Sequence, residues 1–242
     1  MTKKATRQTW TISWWSRLLD LIAPRQCSVC GRRLAVSERT LCSACLLHLP
    51  RTGYQLTPDD NPMVQLFWKH TPIRRAAALI YYEPHSEVAR VVYDMKYHQR
   101  PDIGEDMGRL MANEMQPAGF FDDTDLLVPV PLAPKRLRQR GYNQSERLAS
   151  GISQLTGLPV CTTALSRRQF KKSQTHTMSR QERRENVADM FEVRDAKMLE
   201  DKHIVLIDDV CTTGATLTAC ADVLRNITGL RISVLTFGLT KV

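Results

Sequence analysis

The chain has 242 residues, of which 43% are hydrophobic and 24% charged, with a formal net charge of +9. These totals are ordinary for a globular protein and suit one large domain or a medium domain with a small appendage. No run reaches the roughly 18 apolar residues of a membrane-spanning helix, and the basic balance favours anionic partners without selecting one.

The amino terminus carries "WTISWWSRLLDLIAP", ending at Pro24. It is short, holds Arg17 and Asp20, and lacks a small-residue cleavage site, so it makes a poor signal peptide. Trp14, Leu18, Leu21 and Ile22 fall on one face at helical spacing. Residues 1–24 therefore read as an amphipathic segment for core packing or partner docking, with interfacial membrane contact as the alternative. The chain has seven cysteines. Without a secretory signal the expected setting is a reducing cytoplasm rather than a disulfide framework, with membrane association only through partners.

The next segment, "CSVCGRRLAVSERTLCSAC", is C-x2-C, eleven residues, C-x2-C. Each pair presents two thiolates from one turn, and Gly31 permits the tight backbone bend. Cys27, Cys30, Cys42 and Cys45 together suit a closed tetrahedral site for structural Zn²⁺. Redox dithiols are the alternative, but no thioredoxin-like βαβ pattern lies nearby. Residues 25–50 are expected to form a module too small for its own core, so the metal must supply folding free energy. His48 reads as an ordinary histidine. Residues 51–74, broken by Pro58 and Pro62, read as a connector with a short helix in "MVQLFW".

From 75 to 242 strands and helices alternate. "AAALIYY" (76–82), "LLVPV" (126–130), "LPVCTTAL" (158–165), "HIVLID" (203–208) and "RISVLTFGL" (231–239) read as strands. Val88, Val91, Val92 and Met95 mark one helix; Ile103, Met107, Leu110 and Met111 mark a second; Leu148, Ile152 and Leu155 mark a third. A further helix is expected over 216–226. The implied fold class is α/β, a mainly parallel sheet flanked by helices, with ligands bound beyond the carboxyl ends of the strands.

One stretch carries more chemistry than the rest: "IVLIDDVCTTGAT". An apolar strand delivers Asp208 and Asp209 to the crevice rim, and Thr212–Thr216 turn into the next helix. A helix N-terminus offers unpaired N–H groups and a positive dipole end, Thr hydroxyls add donors, and Gly214 allows close backbone approach, which together cradle one phosphate. Two carboxylates beside that cradle address sugar hydroxyls or Mg²⁺. The combined target is a ribose 5-phosphate.

This stretch resembles the phosphoribosyl pyrophosphate (PRPP) signature of type I phosphoribosyltransferases. The resemblance implies that Asp208 and Asp209 hold the ribose hydroxyls, and that Thr212, Thr213, Gly214, Ala215 and Thr216 hold the 5-phosphate. "VPVPLAPKRLRQRGYNQSERLA" gathers Lys135, Arg136, Arg138 and Arg140, cations suited to a pyrophosphate leaving group. "RRQFKKSQTHTMSRQERRENVADMF" is polar, basic and long, like a flap over a site. With the cysteine pairs, these segments resemble the ComF family, in which a small zinc-binding head joins a phosphoribosyltransferase domain. That resemblance implies PRPP and Mg²⁺ as ligands and a role in DNA uptake or competence alongside partner proteins. The acceptor is not legible, and Tyr142 and His176 stand as candidates to touch it or as surface residues. Whether the chain transfers phosphoribosyl groups or acts as a PRPP-responsive adaptor that binds single-stranded DNA stays open at this stage.

Overall fold

The computed structural model describes residues 24–168 and 190–241. All but the last residue of the amino-terminal amphipathic segment, and the body of the expected flap, His176 included, lie outside the described residues. The chain divides into two compact units, one up to His48 and one from Leu49 onward.

In the first unit, Gln26 and Arg33 form an isolated antiparallel bridge, and helix α1 covers Ser43–Leu47. Gly31 closes the first knuckle with φ +71°, and its N–H donates to Cys27 O at 2.8 Å. Among the described residues of this unit, Val29, Leu34 and Leu41, with Cys27 and Cys42, are buried.

The second unit begins with a short helix α2 (Pro62–Gln65), capped by Asn61, whose side chain accepts from the N–H groups of Met63 and Val64. Strand β1 (Ala76–Tyr82) leads to helices α3 (Ala89–Tyr97) and α4 (Pro101–Met115). Strand β2 (Leu126–Pro129) precedes helices α5 (Pro134–Arg140) and α6 (Gln144–Thr156). Strands β3 (Leu165–Arg167) and β4 (Phe191–Val193) pair antiparallel, then β5 (His203–Cys211), α7 (Ala215–Leu224) and β6 (Arg231–Thr240) follow.

The main sheet runs β1-β6-β5-β2 and is parallel throughout. Its register sets Leu126 beside Ile204, His203 beside Arg231 and Ala76 beside Val234. Alternate strand residues point to opposite faces. On one face Ala76, Val128, Ile204, Leu206 and Val234 pack with Phe67, Phe191, Leu217 and Leu224. The other alternate set, including Leu127, Val205, Ile207 and Leu235, is equally buried, which accounts for the continuous apolar runs. Helix α6 packs on β2 and β5.

Two expectations need correction. "LPVCTTAL" is not one strand: Val160 makes an isolated parallel bridge to Leu127, bends follow at 162–164, and Leu165 starts the separate β3–β4 hairpin. Leu155, read as part of the buried stripe of α6, is exposed, since only Leu148 and Ile152 of that stripe are covered.

Candidate functional site

The metal-ligand set forms in the first unit. The Sγ atoms of Cys27, Cys30, Cys42 and Cys45 all lie within 4.8 Å of one another, with Cys30 and Cys42 at 3.8 Å. Thiolates at about 2.3 Å from a tetrahedral zinc ion stand about 3.8 Å apart, so the set fits Zn²⁺. Backbone N–H groups are already turned onto the sulfurs: Cys42 N donates to Cys27 Sγ at 3.3 Å and Cys45 N to Cys42 Sγ at 3.5 Å. Glu38 supports the second knuckle by accepting from the N–H groups of Ala35 and Ser43 at 2.8 and 2.6 Å. These backbone bonds hold its carboxyl down at about 2. His48 stands apart, its ring Nδ1 placed 2.8 Å from Ala44 O. If these thiolates hold zinc, chelation is expected to release about one ion per chain and to destabilise this module, because a structural metal supplies folding free energy. Native mass spectrometry of protein purified without added metal checks it, and a Cys27→Ser/Cys42→Ser variant should lose the metal outright.

The second centre lies at the carboxyl edge of the main sheet. Asp208 and Asp209 sit within β5 rather than at its end, since the strand continues to Cys211 with Val210 beside Gly238 and Cys211 beside Leu239. The extension holds both half-buried acids on a strand paired with its neighbour. Asp208 Oδ1 accepts from Ser145 Oγ at 3.0 Å and from Asp209 N at 2.8 Å. Burial, and then the neighbouring Asp209 carboxylate, push Asp208 up to about 7. Asp209 Oδ2 is 3.1 Å from Lys96 Nζ. Two carboxylates this short of water and this close together suit a cation or donated hydroxyls.

Thr212 and Thr213 are exposed directly after β5, and α7 opens at Ala215. Its cap is Gly214, at φ +77°, with no side-chain capping bond. The first N–H groups of this ten-residue helix therefore have no side-chain cap, and Ala215 adds no bulk over them. Asp208, Asp209 and the Thr212–Thr216 turn thus fall on one rim.

The four cations of α5 separate. Arg136 and Arg140, one turn apart, line a hollow of about 480 Å³ with Lys96, Tyr97, Gln99 and Gln139. Lys135 and Arg138 are not among the residues that line it, although Lys135, Arg136 and Arg138 are all exposed. A groove of about 590 Å³ beyond β2 is larger, but there Arg167, Arg168 and Arg194 are mixed with Glu146 and Glu192, so it has no single sign of charge.

"RGYNQ" proves to be a staple. Arg140 donates to Gln144 Oε1 at 2.9 Å, and Asn143 caps α6 while its Nδ2 donates to Val130 O at 3.0 Å. Tyr142 is buried and its hydroxyl donates to Met95 O, which also accepts from Gln144 Nε2 at 3.2 Å. Tyr142 is thus not a surface residue: its hydroxyl is spent on the last turn of α3, next to Lys96. Sequence reading missed Ser145, whose partner is 63 residues away. It also missed the exposed pair Tyr93 and Tyr97, whose rings are tilted at 41° with centroids 4.8 Å apart and the Arg140 guanidinium 5.3 Å over Tyr97. Their i, i+4 spacing was the available signal. Among the described residues no helix is long and apolar enough to cross a membrane.

The chain is similar to several known proteins. The phosphoribosyl transferase domain family matches residues 139–237, from the end of α5 into β6. DNA utilization protein YhgH of Escherichia coli O157:H7 is 29% identical over 201 residues, covering 82% of this chain and 83% of that protein. Competence protein F of Haemophilus influenzae is 25% identical over 84% of this chain and 91% of that protein. Competence protein ComFC of Bacillus subtilis is 32% identical over 40% of this chain and 37% of that protein. The parallel sheet with its flanking helices, the four-cysteine cluster, the domain match and these relatives together support a ComF-family protein of the phosphoribosyltransferase type.

Proposed function

We propose that the second unit binds PRPP with Mg²⁺ at the β5–α7 rim and acts, as the names of its relatives suggest, in DNA uptake or competence. The observation that carries this is the union on one rim of the Asp208–Asp209 pair and an uncapped helix start behind Thr212 and Thr213. In this reading the 5-phosphate takes the N–H groups of the first turn of α7 and the hydroxyls of Thr212, Thr213 and Thr216. The 2- and 3-hydroxyls of the ribose donate to Asp208 and Asp209, and Ser145 keeps the Asp208 carboxylate oriented. Pyrophosphate falls to Arg136 and Arg140, which line the cationic hollow. Fixed guanidinium groups there would stabilise the charge that builds on the leaving group as the bond at the anomeric carbon breaks. Bound beside the carboxylates, Mg²⁺ would neutralise pyrophosphate oxygens. In the first unit the four thiolates would hold Zn²⁺ in a structural role, since sulfur fills every position.

Calorimetric titration with PRPP and Mg²⁺ tests this. Binding is expected for the native protein, and an Asp208→Asn/Asp209→Asn variant should bind at least about 100-fold more weakly, two charge-assisted contacts being lost. Undiminished affinity in that variant removes the assignment.

A second reading, a PRPP-responsive adaptor for single-stranded DNA, is favoured by the Tyr93–Tyr97–Arg140 cluster beside the cationic hollow. Bases stack on exposed aromatic rings while phosphates take the neighbouring cations. Repeating the titration with single-stranded DNA present separates the readings. Pyrophosphate release with some acceptor marks an enzyme, and salt-sensitive strand binding without turnover marks the adaptor.

A further inference from the structure

Lys96 stands in two places at once. Its Nζ is 3.1 Å from Asp209 Oδ2, and its side chain lines the hollow shared with Arg136 and Arg140. Its backbone is held in that position, because the neighbouring Met95 carbonyl accepts from both Tyr142 and Gln144. The stem beyond that fixed backbone is long and flexible, and its ammonium is a compact charge able to change partner by rotation about a few bonds. Asp208 differs: Ser145 Oγ and the Asp209 N–H serve it through groups that belong to the frame of the site. On Asp209 the cation occupies the carboxylate that ribose hydroxyls must reach.

We propose that Lys96 is a positioning residue that exchanges partners: it holds Asp209 until the ribose hydroxyls take that carboxylate, and then turns into the hollow to the pyrophosphate of PRPP. This rests on the PRPP reading above and deepens it. The exchange makes the site selective for the pyrophosphorylated sugar. A ribose 5-phosphate must break the Lys96–Asp209 pair and offers the lysine nothing in return, whereas PRPP supplies a polyanion within the same hollow. The sheet edge thereby discriminates between substrate and a sugar phosphate that shares its ring hydroxyls and its 5-phosphate.

The experiment is calorimetric titration at constant Mg²⁺ of native protein, Lys96→Met and Lys96→Arg, with ribose 5-phosphate and with PRPP. Met keeps the volume of the stem, and Arg keeps the charge. For Lys96→Met, ribose 5-phosphate is expected to bind about 3-fold more tightly, an ion pair at the rim no longer competing. PRPP should bind about 10-fold more weakly, a charge-assisted contact being lost. Lys96→Arg should keep the native ratio of the two affinities within about 3-fold, since it supplies the same charge at the same position. Parallel weakening of both ligands, which a merely structural role would produce, overturns the inference. An unchanged ratio overturns it too, as does ribose 5-phosphate that stays undetectable on Lys96→Met. Native protein that binds neither ligand removes the PRPP reading itself, an outcome distinct from the others.

Discussion

Asp208→Asn is expected to stabilise the protein at neutral pH while it weakens PRPP binding about 10- to 100-fold. Burial and the adjacent Asp209 carboxylate push the Asp208 carboxyl up to about 7, whereas an aspartate in an unfolded chain ionises near about 3.9. Between those values the folded protein holds a proton that the unfolded chain has released. Stability therefore falls as pH rises from about 4 to about 7, and above about 7 the full cost of an ionised Asp208 is present. Asparagine has no charge to desolvate and keeps an acceptor oxygen for Ser145 Oγ and the Asp209 N–H. A gain of roughly 2 kcal/mol at pH 8 follows, or about 4–8 °C in Tm for a chain of this size. At pH 4 the native aspartic acid is itself neutral and the gain should vanish. Thermal unfolding of both proteins at pH 4 and pH 8 measures this. An equal shift at the two values, or a lower Tm for the variant at pH 8, would show that Asp208 is not held against its ionisation. An acid kept at a stability cost is what a binding site requires and a purely structural strand end does not.

The parts of this protein legible in the sequence are those encoded by short periods. β1, β2, β5 and β6 were readable because both faces of the sheet are covered, which turns each strand into an unbroken apolar run. The Asp208–Thr216 rim was readable because its acids, hydroxyls and helix start are consecutive. Elements closed by distant partners were not. The β3–β4 hairpin pairs Leu165 with Val193 across a long insertion, and nothing local in "LPVCTTAL" marks where the chain leaves the sheet. Ser145 reaches Asp208 only because α6 starts at the carboxyl edge of β2, which is a property of the topology. The Lys96–Asp209 contact joins the end of α3 to β5, and no local pattern announces it. The four cations of α5 look equivalent in sequence, yet Arg136 and Arg140, one turn apart, line the hollow and Lys135 and Arg138 do not.

Gly108→Ala and Gly151→Ala are each expected to lower stability by about 2–4 kcal/mol, against the usual benefit of alanine over glycine within a helix, about 1 kcal/mol. The reason is the crossing of α4 and α6, where backbone meets backbone. A Cβ on Gly108 would stand 2.1 Å from Leu148 O, and one on Gly151 would stand 2.1 Å from Glu105 O. Neither neighbour is a side chain that can swing away, so the helices must separate. Gly104 provides the comparison on the same face: its added Cβ would meet Arg147 Cβ at 2.7 Å, a less severe overlap than 2.1 Å against a carbonyl oxygen, and Gly104→Ala should cost less than the other two. The consequence reaches the site, because α6 carries Asn143, Gln144 and Ser145 at its start. Pushing it off α4 moves Ser145 from Asp208 and slackens the Gln144 hold on Met95, the residue next to Lys96. Denaturant unfolding of the three single variants, with PRPP titration of those that remain folded, tests both halves. Equal stability of Gly104→Ala and Gly151→Ala would mean that the crossing tolerates separation. Retention of native PRPP affinity by a destabilised Gly151→Ala would mean that the position of α6 does not govern the acid pair.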